Sequence, residues 1–392
     1  MWWATAIDNI GDGVFVAAVP LLAITITRDP RLISIVSAAT YLPWLLLSVP
    51  SGALVDRLDR VALMWRAQAA AGVIVAVVGA LAVAGHASIA LLAAMGFGLG
   101  ACDVLFANAA QTILPDLVPK ADLQRANGRQ YTMTALGQMF LGPPVGSLLF
   151  AVAVALPFGL DAGSFALSAA LLTTLPRRPR QAGEHLPMRT ALAEGLRWLA
   201  RHRLLRTLAL IVSVNTFCYQ LGYVTLVLLA TQDMHVSSRG YGLLLAGAAV
   251  GSVTGSLINT RLVARLGPLP ALLCSLVANI VIFEAIGVAP DAVALGALLA
   301  LNGLATSCWN IVSLSLRQQV VPAELLGRVN SVYRTLSTGL MPFGALAGGL
   351  IAHEFGLRAA YPMAGGLRAI ALLIGLPVLL AEIRAVRTQP AH

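Results

Sequence analysis

Twelve apolar runs, each long enough to supply the roughly 20 residues that a helix needs to cross a bilayer, follow one another along this chain with mostly short polar gaps. They lie near 3–26, 33–54, 62–84, 87–110, 130–152, 154–175, 207–231, 239–261, 269–289, 291–314, 328–352 and 358–381. In hydrocarbon no water is at hand to satisfy backbone N–H and C=O groups, so each run is predicted to be a helix bonded within itself. This one feature confines the chain to an all-α integral membrane fold of twelve transmembrane helices.

Composition agrees with that reading. Hydrophobic residues make up 58% of the chain and charged residues 11%, against about 25% charged in soluble domains. The net charge of +9 raises nucleic acid or an anionic membrane surface as partners. The bases sit in the gaps between apolar runs, which favours the lipid bilayer over nucleic acid. Cys102, Cys218, Cys274 and Cys308 stand singly, with no CxxC pair, so neither a metal site nor a disulfide framework is implied. The six histidines are scattered, and the one lysine, Lys120, follows Pro119 instead of closing a glycine-rich phosphate loop. No cofactor, no ATP-driven pumping on this chain and no enzymatic activity are therefore expected.

Orientation follows from the basic residues of the gaps, because cytoplasmic loops collect Lys and Arg. Of 26 such residues, 21 fall on one side, including Arg57, Arg60, Arg66, Lys120, Arg125, Arg129 and the cluster Arg177–Arg206. Arg28, Arg31, Arg239 and Arg358 fall on the other. Both termini and the long central loop are thus expected in the cytoplasm. The first run starts at Trp2 with no small-residue cleavage site, so it reads as a span and not as a cleaved signal. It lacks a basic leader, and the natural start is expected slightly upstream.

A constant offset of 203 residues relates the two ends of the chain. Gly52-x-x-x-Asp56 returns as Gly255-x-x-x-Asn259. Val118-Pro119 to Asn127 aligns on Val321-Pro322 to Asn330 with five of ten positions identical, and Asp12 falls on Asn215. Six spans per half is an even number, so both halves enter the membrane in the same sense, an arrangement that places substrate between them near the midplane. The expected domains are an N-terminal six-helix bundle, 1–176, a cytoplasmic linker, 177–206, and a C-terminal six-helix bundle, 207–392. Within the linker, Leu192, Leu196, Trp198 and Leu199 oppose Arg189, Arg197, Arg201 and Arg203. That pattern predicts an amphipathic helix lying on the anionic cytoplasmic leaflet.

Residues 52–60 match the loop motif Gly-x-x-x-Asp-Arg-x-Gly-Arg-Arg/Lys at Gly52, Asp56, Arg57 and Arg60, departing at Asp59 and Val61. On these residues and the repeat, the whole chain resembles the major facilitator superfamily. In that family the loop latches the two halves at the cytoplasmic face, and the resemblance gives this role to Gly52, Asp56, Arg57 and Arg60. Gly142-Pro143-x-x-Gly146 resembles the core of the fifth-span motif of drug:proton antiporters, with Ser147 in place of a final glycine. A Gly-Pro step loosens a helix and permits bending, so Gly142, Pro143 and Gly146 are hinge candidates. Ile10-Gly-Asp12-Gly13, Asp161-Ala-Gly-Ser-Phe165 and Glu194-Gly-Leu-Arg-Trp198 are similar to segments of the efflux branch that includes macrolide exporters and the enterobactin exporter.

A carrier driven by protons needs a titratable group inside the membrane. An ionised carboxylate there costs about 2.5–3.5 kcal/mol on insertion scales, so acids within spans are functional candidates. At ~1.5 Å per residue, Asp12 falls near the midplane of the first span, and Asp8 shares its face at i−4. Asp103 lies deep in the fourth span. These three are the candidates for proton or substrate coupling. Gln138, Asn215, Gln220, Asn302, Trp309 and Asn310 are candidates for lining the substrate cavity. Asp161, Glu284 and Arg368 fall in spans six, nine and twelve, which are peripheral in the superfamily; a structural role is expected for them, with Glu284 and Arg368 paired.

The function expected from these residues and the resemblance is proton-antiport export of hydrophobic or amphipathic small molecules, such as drugs or secondary metabolites including siderophores, by a monomer in the bacterial inner membrane. An uptake permease and a non-transporting membrane sensor are the alternatives.

Overall fold

A computed structural model of the chain describes residues 2–117, 137–138, 141–174 and 188–388. Every regular element among them is helical. Helices α1 (Trp2–Ile26), α2 (Pro30–Arg57), α3 (Arg60–Val83) and α4 (Ile89–Leu117) are followed by the short α5 (Gly142–Val152) and by α6 (Ala155–Thr173). Then come α7 (Met188–Arg201), α8 (Arg203–Leu228), α9 (Ser238–Leu266), α10 (Pro268–Gly287) and α11 (Ala292–Val320). The chain closes with α12 (Ala323–Gly339), α13 (Met341–Phe355) and α14 (Ala360–Thr388).

Eleven helical stretches among the described residues are long and apolar enough to cross a membrane. The expected fifth run, 130–152, lies partly outside the described residues; its visible part is the apolar helix α5. The expected eleventh run, 328–352, falls within one apolar helical stretch, Leu325–Phe355, interrupted by a turn at Leu340 between α12 and α13. The break has a local cause: Pro342 sits in the first turn of α13, where a missing N–H costs nothing, whereas inside a continuous helix it would remove a bond and clash.

The helices form two compact units, one of Met1–Met188 with Ala230–Ala246, the other of Arg189–Leu229 with Gly247–His392. In the first unit α1 packs on α5 and α6, α3 packs on α4 and α6, and α2 packs on α4. In the second, α8 packs on α13 and α14, and α10 packs on α11 and α14. The 203-residue shift carries α4 onto α11 end for end and brings the remaining partners into correspondence.

Close helix contacts in both units run over glycine. A Cβ on Gly142 would overlap the Gly13 Cα, and one on Gly146 would overlap the Val14 carbonyl, so α5 lies directly on the backbone of α1. In the second unit Gly344 and Gly348 of α13 meet the carbonyls of Phe217 and Leu221 of α8 in the same i, i+4 pattern. Lipid is as apolar as leucine and gives helices little reason to associate, so contact is driven by close van der Waals approach, which small residues permit.

The linker helix α7 forms where the amphipathic pattern predicts one, and part of its apolar face meets protein. Leu199 is 2% exposed and joins a core cluster with Leu205, Leu208 and Val329, while Trp198 packs against that cluster. Glu194 forms an ion pair with Arg328 at the start of α12, and Gly195 lies against the Arg328 backbone. Leu199 and Trp198 thus pack on protein, while Leu196 remains exposed.

Candidate functional site

The turn between α2 and α3 carries the charged loop. Arg57 ends α2, Asp59 caps α3 by accepting a hydrogen bond from the Ala62 N–H at 2.9 Å, and Arg60 begins α3. Asp59 is where the motif departs from glycine, and the cap explains it: an acid at this position satisfies a helix N–H that would otherwise be orphaned. Below the turn, Val55, Val61, Met64, Ala109 and Leu172 pack as an apolar cluster. Gly52, Asp56 and Arg57 lie in α2, and their side chains are outside the described residues.

The acids of the first unit gather around α1. Asp8 is 6% exposed and accepts a hydrogen bond from the Gln68 amide of α3 at 2.8 Å. Its other carboxylate oxygen has no hydrogen-bond partner. Asp12, one turn along α1, is partly buried. Asp8, Asp103 of α4 and Asp161 of α6 all act electrostatically on it. Asp161 is 1% exposed, and its Oδ1 atom presses on Gly11, the residue next to Asp12, with no hydrogen-bond partner. Among the described residues none of the four carboxylates is in an ion pair with a base.

Three expected residues, Asp8, Asp12 and Asp103, are therefore brought together. Two more belong with them that the chain alone does not assign to the group. Gln68 leaves a trace in the sequence as the one amide in the apolar third run. Asp161 falls in a span expected to be peripheral. The packing of α1 directly on α6 through Gly11 is what makes it a neighbour.

The antiporter-motif residues sit behind this group. Gly142 and Gly146 press on Gly13 and Val14, and Gly137 presses on Asn9, so α1 is held on both sides of Asp12 by glycine contacts. Pro143 lies in the first turn of α5. Gln138 is half-buried in the partly described segment before α5.

The second-unit candidates are dispersed. Asn215 turns its side-chain amide back to the Ile211 carbonyl of its own helix at 3.0 Å. Gln220 is wholly buried. Asn302 donates to the Asn279 side chain at 2.9 Å, and Thr306 donates to the same oxygen at 3.1 Å, a polar contact tying α11 to α10. Trp309 belongs to the apolar core with Leu316 and Tyr333. Asn310 is exposed on α11.

Glu284 and Arg368 do not pair. Glu284 is exposed, its carboxylate lying against Gly365. The Arg368 guanidinium lies 3.7 Å from the centroid of the Phe283 ring and donates through Nη2 to the Asn215 carbonyl at 3.3 Å. Among the described residues no group of three or more His, Cys, Asp or Glu is arranged to hold a metal ion.

Comparison with known proteins supplies the family. A family described as transmembrane secretion effectors, within the major facilitator superfamily, matches residues 1–392. The multidrug efflux pump Tap of Mycobacterium tuberculosis (strain ATCC 25618 / H37Rv) is 27% identical over 401 residues, covering 98% of this chain and 91% of that protein. The enterobactin exporter EntS of Citrobacter koseri is 29% identical over 302 residues, covering 74% of this chain and 70% of that protein. Among solved structures, the nucleoside transporter NupG (D323A mutant) superposes with a TM-score of 0.77 at 11% identity, covering 96% of this chain and 98% of that one. At that identity the likeness speaks for the fold alone.

Proposed function

The chain belongs to the transmembrane secretion effector family of the major facilitator superfamily, and on that footing we propose that it exports hydrophobic or amphipathic small molecules from the cell by proton antiport. Membership makes it a multi-pass membrane transporter. The efflux pump and siderophore exporter among its relatives support the outward direction. The observation that carries the proton-coupled reading is the group of four acids around α1. Carboxylates sunk among spanning helices with no basic partner cost energy whenever they are all ionised, and proton binding relieves that cost. A carrier that exposes such a group alternately to the two sides moves protons as it moves substrate.

The architecture in this reading is twelve transmembrane helices in two pseudo-symmetric six-helix bundles, 1–176 and 207–392, joined by the cytoplasmic linker 177–206. Both termini lie in the cytoplasm, and the protein works as a monomer in the bacterial inner membrane. The matching contacts of α5 with α1 and of α13 with α8 support the pseudo-symmetry. Asp12 is the principal coupling residue, with Asp8 and Asp103 sharing the proton. Asp56, Arg57 and Arg60 latch the cytoplasmic face, and the hinge residues Gly142, Pro143 and Gly146 let α5 rock against α1. Gln138, Asn215 and Gln220 contribute polar groups to the substrate cavity. Asn302, Trp309 and Asn310 contribute less, since the first two are engaged in helix packing.

The test is proton movement in inside-out vesicles energised by respiration, followed with a pH-sensitive dye while hydrophobic cations, macrolides and siderophores are added. Compound-triggered proton release in the native protein, absent in Asp12→Asn at equal membrane abundance, is the expected result. Uptake of the same compounds into whole cells on expression would reverse the direction. Unchanged proton release in Asp12→Asn would remove Asp12 from the mechanism.

A further inference from the structure

Arg368 is the second unit's one deeply buried cation among the described residues, at 5% exposed. A buried guanidinium normally finds a carboxylate or spends its five N–H donors on carbonyls, because an unpaired buried charge is costly. Here the nearest acid along α10, Glu284, follows directly on Phe283, yet it lies over Gly365 and does not reach Arg368. Nη2 donates to the Asn215 carbonyl at 3.3 Å. Nε and Nη1 are sealed from solvent and have no oxygen or nitrogen hydrogen-bond partner, and the Cys218 thiol is the polar group within reach of the guanidinium. The Phe283 ring holds the flat face of the guanidinium by a cation–π contact, fixing its plane without satisfying any donor.

The neighbours complete a recognisable chemistry. Cys218 and Tyr219 of α8 stand beside the guanidinium. Tyr219 is 40% exposed and its ring stacks on Tyr223, the centroids 5.6 Å apart. Asn215, Tyr219 and Tyr223 follow one another at i, i+4 and i+8, so one face of α8 leads from an aromatic pair to the carbonyl that Arg368 touches. The side-chain amide of Asn215 is already committed to Ile211. Among the described residues of the unit, no acid supplies the counter-charge.

We propose that Arg368 is an anion-recognition point that, once opened to the Tyr219 face of α8, takes the carboxylate of an aromatic, amphipathic substrate, whose ring packs with Tyr219 and Tyr223 while the carboxylate accepts from guanidinium N–H groups left without an oxygen partner. A planar guanidinium holds a carboxylate by directed, charge-assisted N–H···O bonds, which the point charge of lysine reproduces only in part. A neutral analogue leaves the donors unpaired, and a cation is repelled. That the bound anion is also transported rests on the export reading; the binding itself does not.

The probe is 2-naphthoate, with 2-naphthamide as its neutral twin, measured by equilibrium dialysis against the purified full-length protein in lipid nanodiscs. Naphthoate is expected to bind saturably, and naphthamide at least about thirtyfold more weakly, the cost of removing one partner of a buried charge pair. Arg368→Gln should lose naphthoate binding by a similar factor and leave naphthamide binding unchanged. Arg368→Lys should keep the preference for the anion with a smaller loss, and it covers the case in which the glutamine variant fails to fold. Equal binding of the two probes, unchanged naphthoate binding in either variant, no naphthoate binding by the native protein, or its complete displacement by about 0.1 M chloride, a concentration that screens only exposed charges, would each overturn the proposal. Naphthoate binding through Arg368 in a protein that moves no compound would sink the export reading alone. Export that needs Asp12 in a protein blind to naphthoate would sink this one alone.

Discussion

The two units of this protein pair their helices alike and charge them oppositely. In the first, α1 lies on α6 with Asp8, Asp12 and Asp161 at or near the contact and Asp103 close by. In the second, α8 lies on α14 with Arg368 buried and, among the described residues, no acid paired with it. The 203-residue shift makes the difference plain. Asp8, Asp12, Asp103 and Asp161 fall on Ile211, Asn215, Thr306 and Ala364, and Arg368 falls on Phe165. What the halves share is small residues and helix lengths, which set the packing; what they do not share is charge. In hydrocarbon the packing of helices tolerates many sequences, while each ionisable side chain is costly enough to need a reason. The halves therefore diverge most in their buried charges, with acids in one unit and a buried arginine in the other.

The largest blow to this comparison is Asp12→Asn, which makes the first unit's α1 match Asn215 of the second. Compound-triggered proton release should fall to the level of empty vesicles while membrane abundance, read on a blot, stays normal. A mutant that still exchanges protons would mean the charge asymmetry is not the engine.

Next come the glycine contacts that the units share. Gly146→Leu and Gly348→Leu each drive a side chain into the backbone of the first helix of their unit. Each should cost about 1–3 kcal/mol or more by overpacking, visible as loss of monodisperse protein on thermal challenge in detergent. Similar losses in the two variants would sharpen the view that packing is the shared layer. A harmless substitution in one unit would break the equivalence.

A smaller effect is expected from Gln68→Leu. It removes the donor to Asp8, and leaving that oxygen bare costs about 1–3 kcal/mol. Hydrogen bonds to an ionised acceptor are stronger than those to a neutral one. The stability gap to the native protein should therefore be full where Asp8 is ionised and narrow as the pH falls and the acid is protonated. A gap independent of pH would show that Gln68 only fills space.

Smallest is Glu194→Gln, which opens the pair with Arg328. The Arg328 and Glu194 side chains are 29% and 42% exposed, so the loss should stay within about 1 kcal/mol. Faster hydrogen exchange confined to residues 188–201 would report it. A global loss of stability would give the linker helix a larger share in holding the second unit than Leu199 and Trp198 supply.

Much of this is legible along the chain, for physical reasons. Lipid imposes length and apolarity on every spanning helix, so Trp2–Ile26 and Ile89–Leu117 can be read from composition, and the repeat shows that the plan occurs twice. Asp8 and Asp12 stand out because an acid in such a run has few reasons to be there. Other features depend on which helices touch. Asp161 looks peripheral until α6 lies on α1 and presses it against Gly11. Arg368 and Glu284 look like an ion pair in one dimension, but Glu284 goes to Gly365 and Arg368 to the Phe283 ring. Trp309 looks like a cavity wall and proves to be core. The chain by itself determined that it spans the membrane, how long its helices are, that its plan is doubled and which side chains are too costly to be idle, since those follow from local composition against a fixed solvent. Which of those side chains meet, and which charge is left without a counter-charge, was decided only by the tertiary structure, because a partner is set by the distance between helices that the sequence holds far apart.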